Sequence, residues 1–128
     1  MQSERSLFTF LGHPRFFLGS DSAPHPPHTK STSTPSSACA AGVYTSPILL
    51  PLVAHLLEDF GALDRLEGFV SRNGRAFYKM PIGPQDAETK TVLRKVDGNK
   101  VADSWGLGGE SVVSFWAGKK LRWEKVVD

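Results

Sequence analysis

An aspartate and a histidine four residues apart, Asp21 and His25, are the side chains of this sequence best placed to do chemistry. They stand in "SDSAPHPPH", directly after the apolar run "RFFLG", Arg15 to Gly19. An apolar run closed by glycine fits a strand buried on both faces, as in a parallel sheet. In a (β/α)8 barrel, side chains at the C-terminal ends of the strands line the active site. A carboxylate there can bind a hard or borderline cation and accept a proton from metal-bound water. An imidazole there can bind an anionic group or a metal. Asp-Ser is also a common turn or cap pair, and isolated loop histidines are usually solvated, so the two residues alone leave both readings open.

Other candidates carry less. Pro26 and Pro27 lie between His25 and His28 and preclude a regular helix there, so the two imidazoles are not a helical pair. His13 is less persuasive still. His55 sits between Ala54 and Leu56 inside an amphipathic pattern and reads as a packing or helix-surface residue. Cys39 has no CxxC partner and reads as a buried thiol rather than a nucleophile. "GLGGE", Gly106 to Glu110, lacks the spacing and strand-turn-helix setting of a nucleotide loop and reads as a turn.

The elements that must position these residues follow from periodicity. After the first apolar run comes "SAPHPPHTKSTSTPSS", a long loop rich in Ser, Thr and Pro. From Ser46 the pattern becomes helical: Ile48, Leu52, Leu56 and Phe60 recur every four residues, with Leu49, Val53 and Leu57 beside them. Ser46-Pro47 gives a start signal, Pro51 suggests a start one turn later, and Gly61 is a natural stop. Leu63 to Val70 reads as a second short helix, and Ser71 as the cap of a third turn that Pro81 ends. "TKTVLRKV" reads as a strand. "SVVSFWAGKKLRWEKV" reads as a hairpin joining Val112–Trp116 to Leu121–Val126 across a turn at Gly118-Lys119.

Composition bounds the rest. The 128 residues, 40% hydrophobic and 22% charged, suit one ordinary domain with a modest core. A formal net charge of +2, with scattered basic residues, gives no nucleic-acid footprint. One cysteine rules out an internal disulfide and suits a reducing, cytoplasmic compartment. No apolar run approaches the ~20 residues of a membrane span.

Four ordered segments carry a resemblance. "GHPRFFLGSDSAPH", "CAAGVYTSP", "LEDFGALDRLEGFVSRNGRAFYKMP" and "VVSFWAGKKLRW" together resemble the C-terminal part of dihydroorotase, the single-function class within the amidohydrolase superfamily. The resemblance implies an α/β fold: the last strand, following helices and β-rich tail of a metal-dependent hydrolase (β/α)8 barrel, incomplete here. It covers residues 13–128, while residues 1–12 do not match, as in a truncated or mis-started product.

It also implies an activity. Such enzymes interconvert L-dihydroorotate and N-carbamoyl-L-aspartate in pyrimidine biosynthesis, using two zinc ions, commonly as homodimers. By position in the motif, Asp21 corresponds to the aspartate that binds one metal and shuttles the proton. His25 corresponds to the histidine that binds the substrate carboxylate, and Ala41 to a residue that contacts substrate through its backbone. The family's His-x-His pair, carboxylated lysine and further histidine ligands are absent from this sequence, so the chain alone is expected to be inactive. Two other readings stand beside this one: a non-catalytic chain acting as a folding or dimerisation partner, and another cyclic amidohydrolase such as an allantoinase or hydantoinase.

Overall fold

The longest helix shows most directly how this sequence sets its own boundaries. In the computed structural model, which describes residues 12–30, 39–82, 90–107 and 110–126, a 3-10 turn over Ser46–Ile48 leads into an α-helix over Leu49–Asp59. Pro51 falls in the first turn of that helix, where its missing N–H forfeits no intrahelical bond. At the other end Gly61 adopts φ 65, a left-handed conformation that costs glycine little. Its N–H donates to the Glu58 carbonyl at 3.0 Å, and the Ala62 N–H reaches the Leu57 carbonyl at 2.8 Å. Those two bonds satisfy carbonyls that the helix end leaves without partners.

Two shorter helices flank this one, so α1 is Pro27–Lys30, α2 is Leu49–Asp59 and α3 is Asn73–Phe77. The single turn of α1 corrects the expectation that the prolines forbid helix: Pro27 occupies its first position, where proline is tolerated. His25 remains outside it. Between α2 and α3 the chain stays helical but irregular, with a 3-10 turn at Leu63–Arg65 and a π segment at Gly68–Arg72. Ser71 lies inside that π segment and caps nothing, because the helical turns run on into α3 without a break. The run ends at Phe77, and Lys79 turns away with φ 56 before Pro81.

Helix α2 is the hub of two apolar clusters. Val53, Leu57 and Ala62 pack with Leu18, Leu66, Phe69 and Val70 on one side. Ile48 and Leu52 pack with Val101, Leu121, Phe115 and Trp116 on the other. Leu56 and Phe60, part of the apolar repeat in the sequence, are instead 37% and 46% exposed. The buried face is centred one residue further round the helix, because cover comes from both flanks of α2.

Four strands complete the described fold: β1 Val92–Lys100, β2 Ser104–Leu107, β3 Glu110–Val113 and β4 Lys120–Val126. β1 pairs antiparallel with β4, from Val92 opposite Val126 to Lys100 opposite Lys120, with a register shift between Lys95 and Asn99. β2 pairs antiparallel with β3, from Ser104 opposite Val113 to Leu107 opposite Glu110. The expected hairpin between Val112–Trp116 and Leu121–Val126 is therefore not formed. Lys119 does close the expected turn on Trp116, at 2.9 Å, but Gly118 and Lys119 also bond to both backbone groups of Val101. That contact docks the outgoing chain at the end of β1 and leaves β3 to β2. "GLGGE" accordingly begins in β2 and ends in β3, while residues 108–109 lie outside the described residues.

"RFFLG" is not a strand in a sheet. It is extended, Phe16 is 43% exposed, and Phe17 and Leu18 are half-buried. Its contacts come from the irregular helical run: the Leu18 N–H donates to the Phe69 carbonyl at 2.9 Å, and the Asn73 amide donates to the Phe16 carbonyl at 2.9 Å. The Phe17 ring lies 5.2 Å from that of Phe77 and 5.9 Å from that of Tyr78. Among the described residues no parallel strand lies beside it, so a helix surface takes the place of a sheet. Among them, too, no helix is long and apolar enough to cross a membrane.

Candidate functional site

Asp21 follows the extended segment and stands at φ 42, a left-handed conformation that aspartate tolerates better than most residues but that still carries strain. Its neighbours hold it there. The Ser22 hydroxyl accepts the N–H groups of Thr45 and Ser46 at 3.0 and 3.1 Å. Ser22 and Val43 form a parallel bridge, and the Ala23 N–H donates to the Val43 carbonyl at 2.9 Å. The segment Ser20–Pro26 is thus zipped to Ala40–Tyr44. From the far side, the Val113 N–H of β3 donates to the His25 carbonyl at 3.1 Å.

Gly42 sets how closely the two segments approach. Its φ is +98, and a Cβ built on it would lie 2.6 Å from the Ala23 Cβ and 3.5 Å from His25 Nε2. Only glycine fits there without moving the backbone. The fold therefore brings the Gly42 backbone close to the His25 ring.

Ala41 is held from both sides by one cation. The Lys30 ammonium donates to the carbonyls of Ala40 and Gly42, each at 2.5 Å, and the Ala40 N–H donates to the Thr29 carbonyl at 2.9 Å. Thr29 is itself tied to Pro26 through its N–H at 3.1 Å and its hydroxyl at 2.9 Å. Sequence reasoning missed Lys30, because nine residues of Ser-, Thr- and Pro-rich chain separate it from Ala40.

The groups of chemical interest are left free. Among the described residues, neither the Asp21 carboxylate, nor the His25 ring, nor the Ala41 peptide has a hydrogen-bond partner, although the residues around them are bonded. Asp21 and Ala41 are exposed and His25 is half-buried. No three His, Cys, Asp or Glu side chains converge among the described residues. The chain by itself therefore does not fit the two-zinc centre that the resemblance implies; Asp21 offers one carboxylate.

The remaining titratable candidates serve structure or lie apart. His28 is an exposed residue of α1. His13 Nδ1 accepts the Arg15 N–H at 3.2 Å. Cys39, expected to be buried, is exposed, with its thiol 3.7 Å from the Lys30 and Ala40 carbonyls, because the segment it precedes runs along the surface. His55 is buried, its ring edge-on to Trp116 at 5.4 Å and its Nδ1 accepting the Arg122 N–H at 3.3 Å. A groove of about 440 Å³ lined by Phe17, Leu18, Phe69, Val70, Arg75 and Tyr78 includes neither Asp21 nor His25.

No protein-family model matches the chain. Known proteins do. The chain is 41% identical to a dihydroorotase of Mycosarcoma maydis over 90% of its own length and 40% of that protein's. It is 49% identical to a dihydroorotase of Halorhodospira halophila over 88% of its length and 30% of that protein's. The fold matches the crystal structure of dihydroorotase from Saccharomyces cerevisiae in complex with 5-fluoroorotic acid, with a TM-score of 0.79 and 34% identity over 96% of this chain and 32% of that one. The chain thus spans about a third of the length of the relatives it matches. Sequence and fold agree that it belongs to the dihydroorotase family of enzymes, as the counterpart of their C-terminal part.

Proposed function

We propose that this chain is the part of a dihydroorotase that supplies an acid-base group and two substrate contacts to an active site completed by other polypeptide. The observation that carries the reading is the pattern of bonding around the site. Asp21, His25 and the Ala41 peptide are unpartnered among the described residues, while Ser22, Ala23, Ala40, Gly42 and Val43 around them are bonded. A surface loop with no role would have little reason to hold its frame so firmly and leave those three groups open.

In this reading residues 13–128 form one unit, and residues 1–12, nearly all outside the described residues, lie apart from it. The unit contributes its extended segment and helices to a (β/α)8 barrel. The reaction is reversible hydrolysis of the cyclic amide of L-dihydroorotate to N-carbamoyl-L-aspartate, in pyrimidine biosynthesis in the cytoplasm. Water adds to the ring carbonyl carbon, the carbon–nitrogen bond breaks, and Asp21 carries the proton from the attacking water to the departing nitrogen. The His25 ring donates to the substrate carboxylate, and the Ala41 peptide bonds to a polar edge of the substrate. A pyrimidine bearing a carboxylate, as in the yeast complex, is the ligand class these groups suit. Zinc dependence and a homodimer belong to the complete enzyme, whose other ligands lie outside this sequence.

The test joins this chain to the polypeptide that precedes the matching third of the S. cerevisiae enzyme and follows ring opening of dihydroorotate. The joined protein turns over and the isolated chain does not. Asp21→Asn lowers kcat by a factor on the order of 10²–10⁴. An Asp21→Asn protein with near-normal kcat would overturn the reading.

A further inference from the structure

We infer that Lys30 is a positioning residue for substrate binding, acting through the Ala41 peptide. The inference rests on the reading above. The Ala40 and Gly42 carbonyls belong to the two peptide planes that flank the Ala41–Gly42 peptide. By taking the carbonyls of Ala40 and Gly42 together, each at 2.5 Å, the ammonium fixes the plane of the backbone on either side of Ala41. The Ala41 groups are then the ones left to face a ligand.

The geometry favours a fixed hold over a loose contact. An ammonium has three donors and no acceptor, and its bonds to carbonyls are charge-assisted. Lys30 projects from α1, whose single turn is closed by the two Thr29 bonds to the Pro26 carbonyl. The held segment is intrinsically loose: Gly42 at φ +98 has no side chain to restrict it. Without Lys30, the stretch between the Ala40 N–H bond and the Val43 carbonyl bond keeps, among the described residues, only the long contact of the neighbouring Cys39 thiol with the Ala40 carbonyl at 3.7 Å. A simple loop staple would use the same bonds, so the test must separate stapling from presentation.

Lys30→Met keeps length and removes the charge, while Lys30→Arg keeps a cationic donor. On the chain itself, the carbonyl ¹³C resonances of Ala40 and Gly42 shift in Lys30→Met and those of His25 and Val43 do not. In the joined enzyme, Lys30→Met raises KM for dihydroorotate about tenfold with kcat within about twofold, and Lys30→Arg recovers most of the loss, since each tenfold is one lost contact's worth of affinity. Unmoved carbonyl resonances would show that Lys30 does not hold the segment. Moved resonances with an unchanged KM would reduce it to a staple, and a raised KM without moved resonances would mean that the ammonium acts on substrate directly. Each of these overturns the inference. An inactive joined protein, or an active Asp21→Asn variant, would instead sink the proposed function, and the carbonyl resonances would still decide whether Lys30 holds Ala41.

Discussion

The two flanks of this chain handle polar groups in opposite ways. At the junction of α2 with β1 and β4, charges are used up. Glu58 accepts from Lys95 at 2.6 Å, Arg122 at 2.8 Å and the Trp123 indole at 3.3 Å, and Arg122 also reaches Asp59 and the His55 carbonyl. Around Asp21 and Ala41, backbone bonds together with the Ser22 hydroxyl and the Lys30 ammonium do the holding, and the candidate groups stay open. The first arrangement is complete within the chain, as a junction should be; the second leaves the Asp21 carboxylate, the His25 ring and the Ala41 peptide unpartnered among the described residues. Density of internal pairing therefore separates the part that supports the fold from the part that we propose meets a ligand.

Three measurements would break or sharpen that contrast. The largest effect belongs to the closed flank. Leu121 is 4% exposed, between Ile48, Leu52 and Val101, and Leu121→Ala should cost about 2–5 kcal/mol. Denaturant unfolding reads the loss. A cost below 1 kcal/mol would mean that β4 does not complete the core.

His25→Ala is the next in size and should act in the reverse sense. The ring has no partner among the described residues, so unfolding should be little changed. In the joined enzyme the substrate should bind more weakly by about 1.5–3 kcal/mol, the range for a hydrogen bond to a charged group, seen in KM rather than kcat. Loss of stability with KM unmoved would make His25 a packing residue.

The smallest effect is a pH dependence. Bonds from Lys95 first and Arg122 next hold the Glu58 carboxyl down from 4.5 to about 2. A carboxyl more acidic in the folded than in the unfolded chain adds stability above its unfolded value and loses it as pH falls through the folded one. Its contribution should thus be intact above about pH 4.5 and disappear toward pH 2. Trp123, bonded to Glu58, supplies the fluorescence readout. A Glu58→Gln protein with the same acid profile would rule the network out as the cause. The contribution is modest, because Lys95 is exposed and water screens such pairs.

Local signals were legible and distant pairings were not. Pro51 and Gly61 set the ends of α2 because they act on backbone torsions within one turn. The strand pairing could not be read that way: Arg94 faces Glu124 across thirty residues, and the nearer hairpin partner lost to contacts made by Val101. "RFFLG" has strand composition, but a strand needs neighbours, and here Phe69 and Asn73 supply the bonds. In the site, Asp21 and His25 stood out by type and position, and the Ala41 segment by resemblance. Lys30 and the seating of Gly42 against Ala23 and His25 depend on how a long loop closes, which no local pattern encodes. Cys39 was misjudged for the same reason.

The bond between Arg122 and Glu58 joins residues 64 positions apart, and that distance has a consequence in time. At ordinary rates of synthesis, α2 emerges from the ribosome roughly 3–13 s before the strand that covers it. Through that interval Ile48 and Leu52 lack Leu121, and the nascent helix offers chaperones an apolar stripe that the finished fold hides.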